Sequence, residues 1–295
     1  QKLLLDNPHR VRLTLKPDPE LAKRKVQAEL DQLAAIKSTL DDDEKLAIIT
    51  QAKLLAARQM EEDDPGLLPK VGLEDVPQSI SEPIRFDTVL SSSNAPVTYY
   101  GQGTNGLCYQ QVIMPIPQVD QELLDVLPLY TTCLTEFGVG DKDYAETQAW
   151  QAQVSGGISC FSSIRSDLND VQSSRAIISF SSKCLRDNHL QISELLHSTI
   201  HDVRFDEDKR LQELIEQICA RKENSITGQG HSLAMSLASS RMSPTALLGH
   251  QSGGLEGIKL LKALRAQMEQ KASRIELLGK FKSLHGKILA ANKEF

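Results

Sequence analysis

The chain begins with alternating hydrophobic and polar positions and then changes to a helical spacing. Leucine and valine alternate with arginine and threonine over residues 10–15, a period of two that predicts a strand within residues 1–16. Two prolines, Pro17 and Pro19, end this pattern. From Leu21 onward apolar residues recur at intervals of three, four or seven, at Val26, Leu30, Leu33 and Leu40. This spacing predicts an amphipathic helix.

A second helix is predicted by an apolar stripe formed by Leu46, Ile49, Ala52, Ala56 and Met60. Asp41 and Glu44 stand before it with the spacing of a capping box, in which each side chain bonds the backbone N–H of the other residue. The connection at residues 39–43 is short and acidic. Because a short connection brings successive helices together, it predicts two antiparallel neighbours, an αα-hairpin.

Residues 61–95 have the composition of a linker. A run of acidic residues ends in Pro65 and Gly66, three further prolines follow at intervals, and a serine-rich stretch occupies 91–94. Prolines and charges in this density favour an extended segment on the surface. We predict one strand inside it, at residues 84–89.

From residue 96 the pattern is mixed. Strands are predicted at 97–100, 107–114, 158–164 and 177–183, with a turn at 167–170 between the last two. Helices are predicted at 123–137, at 192–203 and at 206–223, the last with Asp206 as its N-cap. A short helix is predicted to start at Ser243-Pro244. A long final helix is predicted by an apolar stripe of Leu277, Phe281, Leu284 and Ile288. Strands followed by helices predict an α+β fold, with an antiparallel sheet covered by helices on one face.

Composition narrows the function classes. The chain has 295 residues and a net charge of −6, without a basic stripe, which argues against nucleic acid as a partner. No apolar run is long enough to span a bilayer, so we expect no membrane partner. Its five cysteines are scattered and never in C-x-x-C spacing, which predicts free thiols in a reducing compartment. The ends, at Gln1 and inside a helical pattern at Phe295, indicate an excised fragment.

Residues 101–106 read GQGTNG and fit the G-x-G-x-x-G spacing of a dinucleotide-binding loop. Such a loop must open a helix, because the helix N-terminus holds the phosphates. Here a β-rich run at 107–114 follows instead and ends at Pro115. Asn105-Gly106 is typical of a tight turn, since both residues tolerate positive φ. We therefore predict a β-hairpin at this point and no nucleotide site.

His197 and His201 have the i, i+4 spacing of paired zinc ligands on one helix face. A hydrolytic zinc helix also carries a glutamate base, and the two positions where it could stand hold Ser198 and Ile200. A third ligand would have to come from the acidic run at 206–208. Two surface or half-buried histidines are the simpler interpretation, and we assign no catalytic and no metal-binding residue.

A serine nucleophile is not indicated either, because G-x-S-x-G is absent. Gly230-His231-Ser232 lies within residues 225–240, a stretch dense in glycine, serine and alanine. Such a stretch marks a loop or a helix packed very close to its neighbour, and a role in peptide contact is the alternative.

A series of short motifs runs in order along nearly the whole chain. They are Asn7-Pro8-His9-Arg10-Val11, Leu73-Glu74-Asp75-Val76-Pro77, Thr104-Asn105-Gly106-Leu107, Leu127-Pro128-Leu129, Leu134-Thr135-Glu136-Phe137-Gly138, Gly156-Gly157-Ile158, Gly230-His231-Ser232-Leu233-Ala234 and Gly253-Gly254-Leu255. Together their order and spacing resemble the middle of the presequence-protease branch of the pitrilysin/insulinase metallopeptidases.

This resemblance implies a large peptidase of four related α+β domains in two halves, which a helical hairpin joins and which close around an unfolded peptide. The catalytic zinc lies in the first domain, on an inverted H-x-x-E-H motif and a distal glutamate. This chain has no such motif. It corresponds to the final strand of a preceding domain at 1–16, the helical hairpin linker at 17–62, an extended linker at 63–95, and an α+β domain without a metal site at 96–295.

By the same resemblance, the helix at 127–138 is the counterpart of the zinc helix. It offers Thr131, Thr132, Thr135 and Glu136 and no histidine. We expect no cofactor on this chain, and zinc in the parent protein outside it.

The role that the resemblance implies is mechanical: a hinge between two halves and part of the wall of a peptide chamber. The expected partners are the N-terminal catalytic half, the remaining C-terminal domain and unfolded peptides, and the isolated fragment is expected to self-associate. Thr104, Asn105 and His231 are candidate chamber contacts. The alternative is a stand-alone peptide-binding or scaffold module. We expect a bacterial cytoplasm, with a mitochondrial or plastid compartment as the alternative.

Overall fold

The computed structural model describes residues 6–9, 11, 13–62 and 64–293. The chain divides into two compact units, Gln1–Ile80 and Ser81–Phe295. Of the strand predicted at residues 1–16, positions 1–5, 10 and 12 lie outside the described residues, and the described positions form neither helix nor strand. None of the described helices is long and apolar enough to cross a bilayer.

The first unit contains the two predicted helices, α1 (Leu21–Thr39) and α2 (Asp42–Met60). The capping box at the start of α2 is confirmed: the Glu44 backbone N–H donates to Asp41 Oδ1 at 2.8 Å, and the Asp41 N–H donates to Glu44 Oε2 at 3.0 Å. Neither helix has a buried residue.

The αα-hairpin predicted from the short connection stays a prediction: both helices are present, and neither buries a residue. The physical reason is the distribution of apolar residues. In α2 large apolar side chains are adjacent in the sequence at Ile48-Ile49 and at Leu54-Leu55, and adjacent residues point about 100° apart around a helix. The helix therefore has no single narrow stripe that one neighbour could cover.

A separate two-stranded sheet opens the second unit. β1 (Arg85–Val89) pairs antiparallel with β2 (Pro96–Tyr100), with Arg85 opposite Tyr100. The strand predicted at 84–89 is confirmed. The turn between the strands has Asn94 at φ 61°, a left-handed conformation that asparagine tolerates.

The main sheet has three antiparallel strands in the order β3 (Leu107–Pro115), β5 (Ser174–Leu185) and β4 (Ile158–Ser166). The predicted turn between β4 and β5 is confirmed by their pairing along nine residues of each strand, from Ile158 opposite Ser182 to Ser166 opposite Ser174. β5 is therefore the central strand, and the other two form the edges.

The β-hairpin predicted at Asn105-Gly106 is wrong. Both residues have positive φ, 51° and 79°, as the turn chemistry requires. The strands on either side nevertheless belong to different sheets, because β2 pairs with β1 and β3 pairs with the distant β5. Pairing with β5 lets β3 bury its inner face in the core, whereas four of the five residues of β2 are exposed.

Eight helices follow or interrupt the strands in the described part of the second unit. They are α3 (Gln121–Leu134), α4 (Tyr144–Val154), α5 (His189–His201), α6 (Asp208–Ser225), α7 (Gly230–Ser239), α8 (Pro244–Gly253), α9 (Leu255–Gln267) and α10 (Lys271–Ala291). Helices α3, α5, α8 and α10 contact the sheet.

The core forms between the sheet and these helices. Its most buried large side chains are at most 1% exposed. They include Met114, Ile178 and Phe180 of the sheet and Tyr130 and Phe281 of the helices. The opposite face of the sheet exposes large apolar side chains at Tyr109, Ile113 and Phe161. The predicted class, α+β with an antiparallel sheet covered by helices on one face, is confirmed.

Two helix starts differ from the sequence prediction. Helix α4 has no counterpart among the predicted elements, although Asp143 and Glu146 form a capping box at its start. Helix α6 begins two residues after the predicted N-cap, because Asp206 instead accepts hydrogen bonds from the Arg204 guanidinium at 3.0 and 3.1 Å. The Ser243 cap of α8 is confirmed by the hydrogen bond from the Ala246 N–H to Ser243 Oγ at 3.1 Å.

Candidate functional site

Helix α3 is the element that the sequence resemblance places where related domains carry zinc. Its hydroxyl groups bond its own backbone: Thr131 Oγ1 donates to Leu127 O at 3.2 Å, and Thr132 Oγ1 donates to Pro128 O at 2.8 Å. The helix buries an apolar face of Leu123, Leu127, Tyr130, Cys133 and Leu134. It is thus held in the core by packing, and these two hydroxyls already have partners.

The C-terminal end of α3 is fixed by an ion-pair network. Thr135 ends the helix, and Glu136 accepts hydrogen bonds at 2.8 Å from both Arg210 and Gln148. Arg210 is largely buried and its guanidinium lies 4.5 Å from the ring centre of Tyr144. A carboxylate paired in this way positions α3 against α4 and α6 and is not free to act on a ligand.

The residues present do not fit a zinc site. In the described part of the chain, no three His, Cys, Asp or Glu side chains lie close enough together to hold a metal ion. The rings of His197 and His201 face each other on α5 with centres 4.5 Å apart, and both side chains are exposed. The pKa of His201 is lowered, first by partial burial and then by the neighbouring His197.

The structure contains a buried histidine that the sequence did not reveal. His285 on α10 is 8% exposed, and its Nδ1 shares a hydrogen bond of 2.8 Å with the Tyr130 hydroxyl of α3. Its Nε2 has no hydrogen-bond partner among the described residues. Burial, with a smaller contribution from His201, lowers the pKa of His285 to about 4. The imidazole is therefore neutral at physiological pH.

The three predicted chamber contacts lie in two different elements. Thr104 and Asn105 precede β3 in the turn at its start, where Thr104 Oγ1 donates to Leu107 O at 2.5 Å. His231 is exposed in the first turn of α7. The described hydrogen bonds do not join His231 to either of the other two, so their role as peptide contacts stays a prediction.

A shallow cleft of about 340 Å³ lies between the turn at 139–142 and α5. Carboxylates of Asp141, Glu194 and Asp202 line it together with Trp150. The Lys142 ammonium lies 5.4 Å from the ring centre of Trp150, so part of the aromatic wall is already covered from within the chain.

Helix α3 is thus a packed core helix, and the described residues around it form no group that could hold a metal ion. A sequence model of the region associated with peptidases of family M16, subfamily C, matches residues 15–264. The chain belongs to this family.

The names of individual relatives are more specific than the name of the family. The chain is 27% identical over 277 residues to presequence protease 1, chloroplastic/mitochondrial, of Arabidopsis thaliana, covering 92% of this chain and 25% of the relative. It is 28% identical over 286 residues to the mitochondrial presequence protease of Danio rerio, covering 96% and 27%, and 26% identical over 260 residues to that of Mus musculus, covering 88% and 25%. The chain thus spans about a quarter of the length of these curated relatives.

Proposed function

We propose that this chain is a non-catalytic segment of a zinc-dependent metalloendopeptidase that degrades presequences and other unfolded peptides. The observation that carries the proposal is the family match over residues 15–264, in a chain whose relatives are named presequence proteases. The metal and the water that it activates would belong to another part of the parent protein. What this chain contributes is structure around the peptide.

The exposed surface of the first two helices supports a mechanical role. Helices α1 and α2 expose apolar side chains along their whole length, among them Leu30, Leu33 and Leu46. Such surfaces on a single unit favour burial against other domains of the same protein. We assign residues 17–62 to the hinge between the two halves of the parent protein.

The wall of the chamber is assigned to the domain at 96–295. Its sheet is covered by helices on one face and exposes Tyr109, Ile113 and Phe161 on the other. Apolar and aromatic side chains on a rigid sheet suit contact with unfolded peptides of varied sequence. Closure of such a chamber excludes folded proteins and retains the peptide during turnover. Thr104, Asn105 and His231 remain proposed contacts of this wall.

The names of the relatives indicate in which cellular compartment the parent protein works. They are described as mitochondrial or as chloroplastic and mitochondrial. This favours the organellar alternative over a bacterial cytoplasm, and a reducing matrix is consistent with five free cysteines.

Complementation tests the proposal. The purified 295-residue chain is assayed with a fluorogenic peptide alone, and then with the half of the parent protein that carries H-x-x-E-H. The remaining C-terminal domain is supplied in the same mixture. We expect no cleavage by the chain alone and cleavage that requires the chain together with the other parts, since only all of them complete the chamber. Chelator-sensitive cleavage by the chain alone would contradict the assignment.

A control distinguishes the peptidase segment from the alternative, a stand-alone peptide-binding module. Calorimetric titration of the isolated chain with the same peptide measures whether it binds without its partners. Binding by the chain alone, with no increase in cleavage when the other half is added, would favour a peptide-binding module over a peptidase segment.

A further inference from the structure

Two cysteines face each other across the main sheet. Cys108 on the edge strand β3 lies directly opposite Cys184 on the central strand β5. Both side chains point to the helix-covered face, because Cys184 belongs to the core and Cys108 packs against it from a half-buried position. Two cysteines from distant parts of the chain are thus cross-strand neighbours on one face of the sheet.

The register sets the distance between these residues. The Ile116 N–H donates to Ala176 O and the Arg186 N–H donates to Gly106 O, each at 2.9 Å. In an antiparallel ladder every second pair of opposite residues is hydrogen-bonded, so Cys108 and Cys184 also form a hydrogen-bonded pair. Cα atoms in such a pair are about 5.5 Å apart. A disulfide requires Cα atoms roughly 4.4–6.8 Å apart, so the Cα spacing of this pair is within range, and closure requires the two Cβ atoms to approach each other.

We propose that Cys108 and Cys184 are a redox modification site that closes into a reversible intrachain disulfide. With hydrogen peroxide as the oxidant, the Cys108 thiol accepts an oxygen atom to give a sulfenic acid and one water. The Cys184 sulfur then attacks the Cys108 sulfur, the S–S bond forms, and the hydroxyl leaves with the Cys184 proton as a second water. The two thiols lose two electrons in total, and the peroxide gains them.

Position within the sheet favours both closure and reversal. β4 begins at Ile158, opposite Ser182, so Cys184 lies beyond the end of that strand and only β3 pairs with it. The Gly156 N–H still donates to Lys183 O at 2.7 Å, so local movement at Cys184 disturbs the β3 ladder and this one bond on the other side. Cβ atoms of a hydrogen-bonded pair lie farther apart than the roughly 3.8 Å of a relaxed disulfide. The bond is therefore strained, and strained disulfides are more easily reduced.

The remaining thiols are less suited to this chemistry. Burial raises the pKa of Cys133 to about 12 and also raises the pKa of Cys160, so neither forms the thiolate that reacts with peroxide. Cys160 lies opposite Phe180 in the sheet, and the buried Cys133 and Cys219 lie on helices α3 and α6, so none of the three has a cysteine as a cross-strand partner. Within the proposed pair Cys184 is buried and Cys108 is half-buried, so Cys108 is the thiol that peroxide reaches first. This inference does not depend on the proposed peptidase role.

Thiol counting tests the site in the wild-type chain. We expect peroxide treatment to remove two of the five thiols, measured after denaturation, and dithiothreitol to restore both. The protein should remain monomeric on a denaturing gel without reductant, because the link is within one chain. Retention of all five thiols, loss that dithiothreitol does not reverse, or links between chains would overturn the proposal.

Variants and mapping locate the bond. In Cys108→Ser and in Cys184→Ser peroxide should remove no pair of thiols, while the matched control Cys219→Ser should lose two as the wild type does. Trypsin releases Cys184 on a short peptide between Lys183 and Arg186, whereas Cys108 shares a tryptic peptide with Cys133. Tryptic mapping is therefore done on oxidised Cys133→Ser, in which Cys108 is the only cysteine of its peptide. This assigns the bond even if Cys108→Ser or Cys184→Ser does not fold. A cross-link to any other cysteine would contradict the assignment.

Discussion

At the scale of single residues, His285 couples the core to pH. Its folded-state pKa of about 4 lies below the 6.5 of an unperturbed histidine, because burial disfavours the charged imidazolium. As the pH falls below 6.5, the unfolded chain binds a proton at this position and the folded chain does not. Stability that is fully present above pH 6.5 is therefore lost progressively down to about pH 4, by roughly 3 kcal/mol at most.

Replacement of this imidazole should remove that part of the pH dependence. We expect His285→Gln to show a flatter decline in the free energy of unfolding between pH 6.5 and pH 4 than the wild type, measured by urea denaturation at several pH values. The variant can be less stable at neutral pH, since the hydrogen bond with Tyr130 changes, so the slope is the quantity compared. His231→Gln is the matched control, because His231 is exposed. Parallel curves for His285→Gln and wild type would rule out the coupling.

The sequence located residues such as Asp41 and Ser243 well but missed His285, and the difference is physical. A cap is a local interaction within three residues, so its signature is readable in the sequence. His285 follows Leu284 on the final apolar stripe, four residues after Phe281, but its partner Tyr130 is 155 residues away. Burial and a distant hydrogen bond are properties of the tertiary structure, and no spacing in the chain encodes them.

At the scale of elements, helix and strand positions were predictable and their pairing was less so. Stripes of period 3.6 predicted α1, α2, α3 and α10, and alternation predicted β4 and β5. The turn residues Asn105 and Gly106 were correctly assigned positive φ, but the hairpin was wrong, because strand pairing is decided by burial of a whole face. Burial also decides whether two helices pack closely, and the apolar residues of α2 are not confined to one face.

The exposure of α1 and α2 predicts low local stability. Isolated helices of this length are marginal in water, and most helix stability in proteins comes from packing. We expect backbone amides of α1 and α2 to exchange with deuterium much faster than those of α10, whose Phe281 and Leu284 are completely buried. Mass spectrometry after short labelling times measures this, at a protein concentration where sedimentation shows the monomer. If α1 and α2 were protected as strongly as α10, a contact that buries them in solution would have to exist.

At the scale of the whole molecule, the two units differ in how much of their apolar surface they bury. The second unit has a core that joins sheet and helices, whereas the helices of the first have no buried residue. An exposed apolar helix surface of this extent is costly in water and favours association. In the parent protein we propose that other domains cover it.

Without those domains, the isolated chain should cover the surface with copies of itself. We expect its weight-average sedimentation coefficient to rise with protein concentration. Glutamate at Leu30 and Leu33, both 55% exposed, should weaken the association because buried charges oppose contact. The matched control is the same pair of glutamates at Gln27 and Gln32, exposed neutral positions of the same helix, which changes the net charge by the same amount. A profile that stays monomeric over a hundredfold range of concentration would contradict association. Association that survives Leu30→Glu and Leu33→Glu unchanged would instead place the contact on the open face of the sheet, where Tyr109 and Phe161 are exposed.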